Sequence, residues 1–255
     1  MNDIQWKIFC DFRTGFKQKV LEWSNAIPEL GELQKLAAQK AKNPLYPFET
    51  PVVYNSDLDK ITQQDQIKLI VIGDNPGKDE QLAKNQRYLC GQAGKIADGF
   101  FKRNPELDID FRKNVIILNK TPIHSAKTAQ LGIMIKEGGS KVQELVLESQ
   151  LWMAQKTAEL HMGLLEACTA QDVAPELWLI GYSALKGNGF FVPYRQKLKE
   201  TYSKTGWDKV FVYQHFSMNR FTIDLKELVL QKELSALPLK KQLEEVGFFH
   251  KEEIF

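Results

Sequence analysis

The chain has 255 residues, of which 43% are hydrophobic. That is enough for one large α/β domain or two small ones, and it argues against a disordered chain. A formal charge of +2 excludes a strongly basic polymer binder, so any affinity for nucleic acid has to come from a local arrangement of Lys and Arg. Cys10, Cys90 and Cys168 lie far apart with no Cys-x-x-Cys pair, which argues against a disulfide framework and against a closed zinc or iron–sulfur site.

The N-terminus, MNDIQWKIFCDF, carries acidic residues where a signal peptide needs a basic region and an apolar run. No later segment approaches the roughly eighteen uninterrupted apolar residues of a membrane span. The expectation is a non-secreted protein of a reducing, cytoplasmic compartment. Trp6, Phe9, Phe16, Val20 and Trp23 recur near helical spacing, and Pro28 is placed to open a second helix. Residues 1–55 therefore read as helical wrapping, ending in the proline-bearing connector Asn43 to Pro51.

Four continuous apolar runs follow: Lys68 to Gly73, Asn114 to Asn119, Glu176 to Gly181 and Lys209 to Gln214. Continuity, rather than alternation, predicts strands buried on both faces. Helical spacing between them, as over Lys95 to Phe101 and Ser140 to Cys168, predicts an α/β protein with a central four-stranded parallel sheet in a three-layer α/β/α arrangement. From Ile223 onward one or two further helices are expected, broken at Pro238. The whole is read as a single unit over 1–255, with its core at 68–221 and C-terminal helices over 222–255.

In such a sheet, ligands bind beyond the carboxyl ends of the strands. The four exits read GDNPG (Gly73 to Gly77), NKTPIHS (Asn119 to Ser125), GYSALKGNG (Gly181 to Gly189) and QHFSMNR (Gln214 to Arg220). They bring an Asp, several Asn and two His to one edge. Taken alone, any one of them is also an ordinary strand-to-helix turn.

Together the exits resemble the uracil-DNA glycosylase superfamily. GDNPG is similar to the GxNPG motif of its mismatch-specific and single-strand-selective branches, and HFSMN (His215 to Asn219) resembles their His-Pro-Ser-x-x-Asn loop. CGQAG (Cys90 to Gly94) looks like the family's Gly-x-Ala-Gly helix opening, and Asn119-Lys-Thr-Pro122 resembles the Asn-x-x-Pro of the single-strand-selective branch. The likeness covers Lys68 to Phe221 in order and spacing; the flanks are not diagnostic.

The resemblance implies a DNA N-glycosylase that flips a uracil or related deaminated base out of DNA and hydrolyses its N-glycosidic bond. Lacking the cysteine quartet of the family's iron–sulfur branch, the chain is expected to need no metal or cofactor, and no membrane and no obligate protein partner are expected. His215 would donate to the leaving base. Asn75 or Asp74 would activate water, with Asn75 favoured and Asp74 a second carboxylate. Strand alternation predicts that only one of the two faces the pocket. Asn119 would read the base edge, and Gly73 is a further base-binding candidate. At the stacking position stands Leu89 where the family has Phe, with Tyr88 a candidate replacement. Pro76 and Gly77 would let backbone approach a phosphate. Met218 would be the wedge inserted into DNA, and Ser217, Asn219 and Arg220 would hold phosphates. Phe216 replaces a family Pro and predicts a less rigid loop. Lys78, Lys127 and Lys186 are candidates for a backbone-binding face, and His124 and Ser125 carry no assigned role.

Two rivals stand beside this reading. One is a lesion-DNA or nucleotide-binding protein on the same fold without turnover. The other is an unrelated doubly wound hydrolase or nucleotide-binding enzyme using GDNPG as a phosphate turn, although the chain has neither a Walker loop nor a GxGxxG fingerprint.

Overall fold

The computed structural model describes residues 1–170, 172–203 and 206–255. Strands β1 (Leu69–Gly73), β2 (Val115–Asn119), β3 (Glu176–Ile180) and β4 (Val210–Tyr213) form one parallel sheet in the order β2-β1-β3-β4. All residues of β1, β2 and β4 are buried, as continuous apolar runs require when both faces are covered. Register sets Gly73 beside Asn119 and Ile180 beside Tyr213, so the exits emerge along one edge. The chain leaves β1 for β2 on one side and then crosses back to β3 on the other. That reversal opens a crevice at the carboxyl end of β1.

Two groups of helices flank the sheet. Helix α1 (Asp3–Ala26) starts at Asn2, which forms a reciprocal capping box with Gln5. Its buried stripe of Phe9, Phe12, Phe16, Val20 and Trp23 packs toward α4 (Ala129–Glu166). Helix α2 (Leu30–Lys40) begins after the Pro28–Glu29 turn, and α2 and α5 (Val192–Thr201) also pack on α4. The expected helix start at Ser140 marks a break inside α4 instead. Gly139, at φ +69°, interrupts the helix, and helical structure extends back to Ala129.

On the other face, α3 (Gln92–Arg103) and α6 (Arg220–Gln231) enclose Trp178 of β3 through Phe101 and Phe221. Helix α7 (Leu239–Ile254) lies on β4 and starts just after Pro238, where the sequence breaks the C-terminal helical region. Among the described residues no helix is long and apolar enough to cross a membrane.

Candidate active site

A cleft of about 500 Å³ opens at the carboxyl edge of the sheet. It brings together Asp74, Asn75, Gly77, Leu89, Asn119, His215 and Ser217 of the expected site, together with the start of α3 and the Ala126–Thr128 segment. Both Asp74 and Asn75 face it, which corrects the expectation that only one does. β1 ends at Gly73, so strand alternation no longer governs the next two residues.

Asp74 is held from below. Its Oδ1 accepts a 2.6 Å bond from Nζ of Lys120, whose side chain is fully buried. The same Nζ donates to the carbonyls of Ile180 at 2.6 Å and Gly73 at 3.3 Å, and lies over the Phe191 ring. Burial pulls the Lys120 ammonium below its ordinary range, and the Asp74 carboxylate opposes that. Three oxygen acceptors match the three N–H groups of an ammonium. Gly181, at φ +91°, leaves room for the carboxylate, since a Cβ there would stand 2.4 Å from Asp74 Oδ1.

Asn75 is largely committed to the protein. Its Nδ2 donates to the carbonyl and hydroxyl of Ser125, both at 2.9 Å, and its Oδ1 accepts from Thr128 Oγ1 at 3.0 Å. His124 and Ser125 thereby acquire a role, because His124 Nδ1–H and the Ser125 N–H both donate to the Pro76 carbonyl. Tyr46 donates to the other ring nitrogen of His124, and burial pushes this imidazole down to about 4, so it stays neutral. The Gly77 N–H donates to the buried carboxylate of Glu80, while Gly77 itself lines the cleft. Pro76 likewise spends its carbonyl within the protein.

Asn119 is 2% exposed, yet its Nδ2 has no hydrogen-bond partner. A buried donor left open at a cleft wall is suited to an acceptor on a ligand. Gly73 provides the space for this amide, since a Cβ there would approach Asn119 Oδ1 to 2.4 Å. Tyr88 is corrected as a stacking residue: it is fully buried, and its hydroxyl donates to the Val53 carbonyl away from the cleft. Leu89 takes the wall position, in the left-handed region at φ +48°. A leucine there is strained by about 1–2 kcal/mol. Glu80 accepts from the Leu89 N–H at 2.9 Å, and Arg112 donates to the Tyr88 and Leu89 carbonyls. Burial pushes Glu80 up to about 7, against two backbone N–H bonds that favour its charged form.

His215 Nδ1 faces the Ser217 backbone N–H at 3.0 Å and the Ser217 hydroxyl at 2.8 Å. Nδ1 must therefore accept, which places the ring proton on Nε2. Burial lowers the imidazole below its ordinary value; Asp74 opposes this and Lys120 adds to it, so His215 is a neutral N–H donor. Ser217 orients His215 rather than reaching outward for a phosphate, a correction of its expected role. Phe216 is fully buried against Phe221, with ring centroids 4.5 Å apart, and it anchors the loop instead of loosening it. Beyond it Met218 is 77% exposed, and Asn219 and Arg220 are also exposed. Lys78 and Lys127 line the cleft, whereas Lys186 is turned to Tyr182 and Glu253.

Comparison with family models, with curated proteins and with solved structures finds no match for the chain. Lys120 and Glu80 are the site residues that sequence reasoning missed. The signal for Lys120 is its place directly after a wholly buried strand, between Asn119 and Thr121.

Proposed function

We propose that the chain is a DNA N-glycosylase that hydrolyses the glycosidic bond of uracil or a related deaminated base. The observation that supports it best is the unpartnered, buried Asn119 amide in the same cleft as a neutral His215 donor and the Asp74 carboxylate. A flipped base with a carbonyl and an imide N–H satisfies Asn119, which donates from Nδ2 and accepts at Oδ1. As the C1′–N bond breaks, its electron pair leaves with the base, and His215 Nε2–H stabilises the charge growing on O2. The water oxygen bonds to C1′ and gives a proton to the free oxygen of Asp74, which returns it to solvent; the departing base anion is protonated from solvent. Asn75 frames the water site and keeps one Oδ1 lone pair for it.

The aliphatic, strained Leu89 in place of an aromatic platform is the one feature that favours the rival, a lesion-DNA binder without turnover. One assay separates them. Oligonucleotides carrying single uracil, hypoxanthine, xanthine or thymine lesions, single-stranded and opposite each base, are incubated with the protein and cleaved with alkali. Cleavage at a lesion is expected. Salt-sensitive binding to the same DNA without base release would establish the binder instead.

A further inference from the structure

We infer that Lys120 is a positioning residue for this reaction: its buried ammonium, tied to oxygens at the ends of β1 and β3, fixes the Asp74 carboxylate with one oxygen left for the attacking water. The inference rests on the glycosylase reading. Lys120 Nζ binds only Oδ1 of Asp74, while two backbone carbonyls, those of Gly73 and Ile180, take its remaining protons. The Asp74 carboxylate is thereby referenced to the backbone of two adjacent strands rather than to mobile side chains. Gly181 beside it carries no side chain, and a Cβ at that position would stand 2.4 Å from Asp74 Oδ1, so the carboxylate keeps this place only with glycine there. An acid–base group held this way loses little entropy on reaching its reactive geometry.

A lysine beside a glycosylase cleft has another possible chemistry, attack of Nζ on the sugar to form an imine. The geometry speaks against it. Lys120 has no exposed side-chain surface, does not line the cleft, and each of its N–H groups has an oxygen acceptor, so no lone pair points at a substrate.

The test is a double-mutant cycle on the full chain with Lys120→Met, Asp74→Asn and the double variant. Base release is measured under single turnover on the lesion that the native chain processes, over times long enough to resolve the Asp74→Asn rate. Affinity for abasic DNA and thermal melting are followed in parallel. If Lys120 acts through Asp74, Lys120→Met slows release by on the order of 100-fold with abasic-site affinity within about threefold of native. The double variant then falls no further than Asp74→Asn. Should Lys120→Met not fold, Lys120→Gln, which keeps a donor but no charge, takes its place. Multiplicative losses in the cycle, an undiminished Lys120 variant, or borohydride trapping of native Lys120 on lesion DNA each overturn the inference. Absence of release by the native chain from every lesion overturns the glycosylase reading and this inference with it.

Discussion

The exits of β1 and β4 face one cleft but are built differently. After β1, the side chains are tied to the protein: Asp74 through one oxygen to Lys120, Asn75 to Ser125 and Thr128, with the Pro76 carbonyl held by His124 and Ser125. After β4, His215 is fixed by Ser217 and Phe216 is buried, but Met218 and Asn219 stand exposed in the left-handed region at φ +53° and +57°. On the glycosylase reading proposed above, the fixed first exit suits the chemical step, which gains most from groups that need no rearrangement. The second holds strain and an apolar side chain in solvent, which suits a segment that is completed by its ligand.

That contrast is sharpened first by Asp74→Asn, which keeps the shape of the rigid exit and removes the proposed base. Single-turnover base release should fall by on the order of 1,000-fold with little change in DNA affinity. His215→Ala, at the junction of the two regions, should cost on the order of 100-fold in the same assay. Loss of affinity rather than rate in either variant would mean that the cleft binds lesions without processing them.

Rigidity of the first exit has a pH signature. The buried His124 imidazole is held at about 4 in the folded chain against an ordinary 6.5, so on acidification the unfolded chain takes up the proton first. Its contribution is complete above pH 6.5 and is lost as pH falls toward 4, by about 3 kcal/mol. Glu80 runs the other way: raised to about 7, it contributes fully below pH 4.5, and its contribution disappears as pH rises through 7. Comparison with His124→Gln isolates the histidine. In urea unfolding the variant should be the less stable at pH 7.5, and the gap should close by about 3 kcal/mol at pH 4. A gap that stays constant with pH would remove His124 as the clamp of this exit.

The strands were legible because both faces of a parallel sheet are covered, which writes continuous apolar runs such as LIVIG and VIILN into the sequence. The edge of the site followed from their exits. Which polar atoms are free at that edge was not legible, because that depends on partners distant in sequence: Asn75 is occupied by Ser125 and Thr128, and Gly77 by Glu80. The choice between Tyr88 and Leu89 turned on a left-handed backbone at Leu89, which no local pattern announces. Lys120 was hidden for another reason. A lysine beside a strand reads as surface, and only the convergence of three oxygens from β1, its exit and β3 makes burial affordable.

The smallest expected effects belong to the exposed exit, and Met218 separates its two properties. Met218→Ala removes the apolar side chain and keeps the left-handed strain, so affinity for lesion-containing duplex should drop about tenfold with stability unchanged. Met218→Gly removes both. It should lose the same affinity, yet raise stability by up to about 1 kcal/mol in urea unfolding, because glycine adopts a positive φ without penalty. Equal stability of the two variants would show that the loop is unstrained. Unchanged duplex affinity in both would show that Met218 does not enter the DNA, and the contrast between a fixed exit and a ligand-completed one would then rest on Asn219 and Arg220 alone.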